Sequence, residues 1–183
     1  MDFKIEIVEG HDPSSYFWFR PVILKESGKI LWDEVIEAEE EFSIEVEDVR
    51  CFLAYFFYKY FDKELTYNKR RYDDIEGYIS GFEWYLTYNF YTYDTLRDMI
   101  KEILETASLL ENEPDDPRLE DIKKEFSIFY MCSPDDPDYI NGDNSAVRKH
   151  IHVVTDFYRR FAERLTAMME NNRDTNIISV MGP

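Results

Sequence analysis

The residues of this chain that could do chemistry are mostly carboxylates, and Glu83 is the first of them to consider. It stands between Phe82 and Trp84, so it is the acid with the largest apolar neighbours in the sequence. A carboxyl group buried among such rings would have a raised pKa and could exchange protons with a substrate. Strand alternation instead places Glu83 opposite the apolar residues, on an outer surface. No second acid is marked as its partner, so the sequence identifies no catalytic residue.

The candidate metal ligands also lack a suitable spacing. His150 and His152 are two residues apart in a predicted helix, so their side chains point to different sides. The acidic segment 135–143 would place Pro137 at the first ligand position of an EF-hand loop, although a weaker cation site there stays open. Gly28-Lys29 lacks the earlier glycine of a P-loop, and the two cysteines have no zinc spacing. We therefore predict no metal and no cofactor.

The elements that would position these residues are centred on the stretch 78–112. From 82 to 90 every second residue is large and apolar, which predicts a central strand near 82–91. The reverse face of that strand would carry Glu83, Tyr85, Thr87, Asn89 and Tyr91. Apolar residues then recur at steps of three and four, which predicts a helix over 94–111 that is capped by Asp94 or Thr95.

The remaining pattern predicts one α+β domain over residues 1–183, with a mostly antiparallel sheet. Alternation over 3–7, 16–24 and 30–36 predicts an N-terminal meander, in which Pro21 marks an edge or an interruption. Three or four helices would pack on the sheet, at about 48–62, 94–111, 117–125 and 145–170. Residues 126–132 fit a helix or a strand, and 174–183 is predicted to be a flexible or β-prone tail.

The formal charge of −18 at pH 7 restricts the partners of the chain. The 39 acidic residues outnumber 21 basic ones, which disfavours nucleic-acid backbones and anionic membranes because both attract Lys and Arg. Nine acids and no base fall within residues 33–48, which we call the acidic band. Such a run is solvated, metal-bound or faces positive charge. Residues 145–173 carry six bases against three acids, so this helix is predicted to pack over the acidic body or to join two copies.

The leading hypothesis is an acidic protein-interaction domain that binds a basic protein partner and neutralises it. Small immunity proteins that block basic nuclease toxins have a similar composition. The predicted partner-binding residues are Glu37, Glu39, Glu40, Glu41, Glu83, Tyr85, Asn89 and Tyr91.

Two alternatives belong to other classes of protein. One is a small enzyme or ligand-binding domain with an aromatic-walled pocket around Trp84, Tyr88 and Glu83. The other is a structural or oligomeric module that forms a homodimer through the apolar seam of the helix at 147–168. No apolar run approaches the roughly twenty residues that span a bilayer, and the cysteines indicate no disulfide framework, so we predict a cytoplasmic location.

Overall fold

A computed structural model of the chain describes residues 4–10, 15–24, 35–65, 67–68, 81–84, 88–125 and 150–183. Within these ranges an antiparallel sheet packs against helices, so the predicted α+β class is confirmed. The strands are β1 (Val8–Glu9), β2 (Tyr16–Leu24), β3 (Val35–Glu37), β4 (Phe42–Glu45), β5 (Tyr88–Thr92) and β6 (Ile177–Met181). The α-helices are α1 (Val46–Asp48), α2 (Ala54–Tyr60), α3 (Tyr93–Asn112), α4 (Glu120–Glu125) and α5 (Ile151–Asn171). A π-helical stretch (Val49–Leu53) joins α1 to α2, and a 3₁₀ turn (Pro117–Leu119) precedes α4.

The sheet has the order β1-β4-β2-β6-β5, with β3 also paired to β2. Along one side of β2, β4 pairs with residues 16–19 and β3 pairs with residues 22–24. Pro21 lies between these two partners, and its carbonyl accepts a hydrogen bond of 2.9 Å from the Ala38 N–H. The missing N–H of Pro21 therefore faces a break in the ladder, which lets a proline occupy a central strand.

The C-terminal segment forms β6, which pairs with β2 on one side and β5 on the other. Residues 177–180 are all buried. The segment predicted to be a flexible or β-prone tail is thus the strand that joins β5 to the rest of the sheet. Just beyond β6, a Cβ added to Gly182 would collide with the backbone carbonyl oxygen of Trp84 and with the ring of Phe17. This close approach of backbone to backbone requires glycine.

The apolar core lies between the sheet and the helices. Phe19 stacks on Phe42 from the next strand, with ring centroids 4.6 Å apart, and both rings contact Phe161 of α5. Helices α3 and α5 pack against each other over much of their length. The predicted apolar seam of the last helix is buried here, since no side chain of Val154, Tyr158, Phe161, Leu165 or Met168 is exposed. Val147, the first residue of the predicted seam, lies outside the described residues.

Two buried tyrosine hydroxyls donate hydrogen bonds to helix carbonyls. Tyr158 donates to the carbonyl oxygen of Phe52, within the π-helical stretch, over 2.8 Å. Tyr91 donates to the carbonyl oxygen of Phe57, one of the last four carbonyls of α2, also over 2.8 Å. Carbonyls at the end of a helix have no partner within it, so the Tyr91 hydroxyl supplies one.

Most helix ends differ from the prediction by one to three residues, whereas α5 begins at Ile151 rather than near 145. Helix α1 begins at Val46, so Asp48 lies inside it and is buried rather than acting as its cap. Thr92 caps α3, because its hydroxyl accepts a hydrogen bond from the Thr95 N–H over 3.2 Å. Asp116 caps the 3₁₀ turn before α4, since its carboxylate accepts from the N–H of Arg118 over 2.8 Å.

The predicted strand near 82–91 is present as β5, but it is not the central strand. Within the described residues it covers Tyr88–Thr92, and it lies at the end of the strand order. Phe82 packs on the helix side, stacked on Phe57 at 5.4 Å, whereas Tyr88 and Phe90 belong to a second cluster with Val22 and Ile177. Both faces of β5 are buried, so alternation could not mark the core side.

Candidate functional site

The candidate site lies on the face of the sheet that points away from the main helical core. In β2, Phe17 and Phe19 belong to that core, so the alternate residues point to the other side. Strand register adds the residues that lie beside them on β3, β4, β5 and β6. We call this set the outer sheet face; it comprises Tyr16, Trp18, Arg20, Val22, Glu37, Ser43, Glu45, Tyr88, Phe90, Ile177, Ser179 and Met181.

A pocket of about 150 Å³ lies in the middle of the outer sheet face. We call it the Arg20 pocket. It is lined by Trp18, Arg20, Glu37, Glu41, Tyr88, Ser179 and Met181. Glu37 and Glu41 belong to the predicted partner-binding set, whereas Trp18 and Arg20 were not predicted. Their signal in the sequence is an arginine two residues after a tryptophan on one face of an otherwise apolar strand.

The guanidinium of Arg20 lies between two carboxylates. One of its terminal nitrogens donates to Oε2 of Glu37, and the other donates to Oε2 of Glu41. The side chains of Arg20 and Glu41 are only 23% and 13% exposed. Little water therefore screens the ion pair, and two negative groups share one positive group. The three side chains together carry a net charge of −1.

Tyr88 forms one wall of the pocket and also holds Glu37. Its hydroxyl donates to Oε1 of Glu37 over 3.0 Å. Burial, reinforced by the charge of Glu37, raises the pKa of Tyr88, so the phenol is neutral at pH 7. On the neighbouring strand, the Ser179 hydroxyl donates to the Arg20 carbonyl over 3.3 Å. Both hydroxyls therefore have positioning roles.

The carboxylate of Glu41 still offers an acceptor to the pocket. Its Oε2 receives Arg20, but no residue within the described ranges donates to its Oε1. Aromatic faces attract cations, and a carboxylate strengthens such an attraction with a charge-assisted hydrogen bond. The arrangement can therefore hold a small cationic group between Trp18, Tyr88 and Glu41.

Glu40, which lies between the pocket residues Glu37 and Glu41 in the acidic band, is bound inside the molecule. Arg164 of α5 donates to Glu40 over 2.7 Å and to both carboxylate oxygens of Glu9 over 2.8 Å. Asn172 donates to the second oxygen of Glu40 over 2.7 Å. The predicted packing of the basic flank of this helix over the acidic body is thus present. Of the four predicted glutamates at 37–41, only Glu39 is exposed and has no ion pair among the described residues.

The predicted outer surface around Glu83 is wrong for two of its residues. Asn89 is fully buried: its amide nitrogen donates to the carbonyl oxygens of Glu83 (2.8 Å) and Val180 (3.0 Å), and its oxygen accepts from the Glu83 N–H (2.8 Å). Tyr91 is 1% exposed. Glu83 is half-buried, and Tyr85 lies outside the described residues.

Among the described residues, Trp84, Tyr88 and Glu83 do not line one common pocket. Trp84 packs against Phe17 and Phe82 on the helix side of the sheet, with centroids 5.2 and 5.3 Å away. Tyr88 lies on the opposite face. The sheet therefore separates the two rings that this hypothesis had placed together.

Two larger grooves are open and internally paired. One, of about 470 Å³, lies between α2, α3 and α4, where Lys59 and Tyr60 both donate to Glu102, over 2.7 and 2.5 Å. The other, of about 450 Å³, lies between residues 4–7 and α5, where Arg160 donates to the Ile5 carbonyl over 2.9 Å. Neither combines aromatic walls with surplus charge as the Arg20 pocket does.

Within the described ranges, no three His, Cys, Asp or Glu side chains are placed to hold a metal ion. None of the helices described here combines the length and apolar character needed to cross a membrane. Comparison of the chain with protein-family models, curated proteins and solved structures finds no match in any of the three.

Proposed function

We propose that this chain is an acidic protein-interaction domain that binds a basic protein partner and neutralises it. The observation that supports the proposal best is the Arg20 pocket, where two carboxylates and two aromatic rings surround a single arginine. A pocket of this kind suits the recognition of a cationic group. Its place on a sheet fixes the positions of the recognition residues before a partner arrives.

The overall charge would bring such a partner to the surface. A chain of −18 attracts basic proteins over about a Debye length, which is about 8 Å at physiological salt. Glu39 and Glu45 are exposed near the pocket, Glu39 in the segment between β3 and β4 and Glu45 on the outer sheet face. Exposed charges of this kind mainly accelerate association, while buried contacts slow dissociation.

The test is capture of basic proteins on the immobilised chain, followed by titration of the purified partner at about 50 and 500 mM salt. We expect the affinity to fall steeply with salt, because screening weakens contacts between exposed charges. The double variant Glu39→Gln/Glu45→Gln should lower the association rate by about tenfold. A matched control removes the same charge from the exposed flank of α5 with Glu163→Gln/Glu170→Gln. An affinity that is indifferent to salt, or equal losses in the two double variants, would contradict the proposal.

A ligand-binding domain remains the second candidate because the Arg20 pocket has aromatic walls. Its volume of about 150 Å³ is, however, well below the roughly 300–1,000 Å³ of pockets that enclose small ligands. The volume fits the end of one side chain better than a whole metabolite. The size of the pocket therefore favours a protein partner.

A further inference from the structure

We propose that the Arg20 pocket is the subsite for one cationic side chain of the partner, an arginine guanidinium or a lysine ammonium, with Glu41 as its acceptor. This inference rests on the proposed function, because it specifies which group of the basic partner is recognised and where. It assigns the recognition to the outer sheet face rather than to the whole acidic surface.

The Arg20 pocket has one uncompensated negative charge. Arg20 compensates one of the two carboxylates, and the Tyr88 phenol contributes no charge. One further positive charge brings the cluster to neutrality, whereas an anion would add to the surplus. Both terminal nitrogens of Arg20 already donate to Glu37 and Glu41, so Arg20 has no pair of N–H donors left to bind a carboxylate or phosphate in a bidentate manner.

Aromatic and apolar side chains lie beside this uncompensated negative charge. Trp18 and Tyr88 contribute aromatic rings to the lining, and Met181 provides an apolar surface for the methylene stem of a long basic side chain. Arg20 already shows that a guanidinium is accommodated among these groups. The volume left beside it admits one side-chain end, so the pocket would select a residue and not a peptide segment.

The direct experiment titrates the protein with the amide of N-acetylarginine and follows the indole N–H resonance of Trp18 by NMR. N-acetylcitrulline amide is the matched neutral probe, because it has nearly the same shape without the charge. We expect the arginine derivative to shift the Trp18 resonance saturably and the citrulline derivative to have little effect. Equal shifts with both derivatives, or no shift with either, would overturn the inference.

The variants separate the pocket from the general acidity of the chain. Glu41→Gln should weaken binding of the arginine derivative at least tenfold, while Glu163→Gln, on the exposed flank of α5, should change it less than twofold. Equal effects of the two variants would overturn the inference. Glu41→Gln also loosens Arg20, so Trp18→Leu, which alters no charge, provides a second test by saturation-transfer NMR; it should reduce binding, and unchanged binding would count against the inference.

The purified partner distinguishes this inference from the proposed function. If the partner binds in a salt-dependent manner but Glu41→Gln weakens it no more than Glu163→Gln does, the pocket is not its subsite and the proposed function stands. If the arginine derivative binds the pocket but no basic protein is retained at low salt, the proposed function fails, and with it the claim that the pocket serves a protein partner.

Discussion

Replacement of Asn89 tests how the segment at Glu83 is held to the sheet. The buried amide of Asn89 makes three hydrogen bonds, two to the backbone of Glu83 and one to the carbonyl of Val180. It pairs with Glu83 as a neighbouring strand residue would, through one donor and one acceptor. Asn89→Ala removes all three bonds and leaves three backbone groups without this partner.

The expected cost follows from the burial of those groups. An unsatisfied buried group costs about 1–3 kcal/mol, and the two groups of half-buried Glu83 belong near the low end because water can reach them. We therefore expect Asn89→Ala to lower the free energy of unfolding by about 3 kcal/mol. With a urea m-value of about 2 kcal/mol/M, the unfolding midpoint should fall by about 1.5 M.

Urea denaturation with a matched control checks this value. Asn112 donates one hydrogen bond of 2.9 Å to the Ser108 carbonyl at the exposed end of α3, so Asn112→Ala should cost no more than about 0.5 kcal/mol. Equal losses in the two variants would refute the role of Asn89. Asn89→Asp gives a pH test: its carboxylate would face two carbonyls, which raises its pKa in the folded state. The loss of unfolding free energy relative to the unmodified chain should be full above that pKa and should shrink as the pH falls through it.

Three further predictions concern other parts of the fold. Gly182→Ala places a Cβ against the Trp84 carbonyl and should destabilise by about 2 kcal/mol, seen as a lower Tm; an unchanged Tm would refute the close approach. Hydrogen bonds from Arg159 and then Thr155 lower the pKa of Glu111 from 4.5 to about 2. The Tm difference between Glu111→Gln and the unmodified chain should thus be full above pH 4.5 and vanish toward pH 2; a constant difference would contradict this. The Asn68 amide pairs with the backbone of β5, so Asn68→Ala should destabilise the fold. The loss of this pairing would leave backbone groups of β5 open to a second copy, which light scattering would detect as larger species; a monomer of unchanged stability would refute the prediction.

Periodicity predicted the helices well because each buries one stripe. In α5 the residues spaced by three and four, from Val154 to Met168, are the ones that enter the core. The bounds of β2 were also predicted, since Gly10 and the polar residues around it interrupt the apolar pattern before the strand begins. An element with a single buried face can be predicted because its apolar residues recur at a regular spacing.

Periodicity failed at β5 because that strand has no solvent face. Asn89 looks like a surface residue in an alternating pattern, but its amide meets Val180, 91 positions later in the chain. The same limit applies to β6, whose short apolar run gives no sign that it lies between β2 and β5. Such placements depend on partners that are distant in sequence, which a local pattern does not contain.

The acidic band shows why charge in a sequence does not by itself define a binding surface. Glu40 accepts hydrogen bonds from Arg164 and Asn172, which lie 124 and 132 positions away, so it contributes to the packing of α5 on the sheet. Glu39 has no such partner among the described residues and projects into solvent, where it adds to the long-range field. Glu41 lies between these cases, since it lines the pocket, one of its oxygens holds Arg20, and the other receives no donor from the described residues. A carboxylate that is fixed by one cation and still open to a second is suited to recognition, because its position is set before binding and its remaining acceptor is oriented.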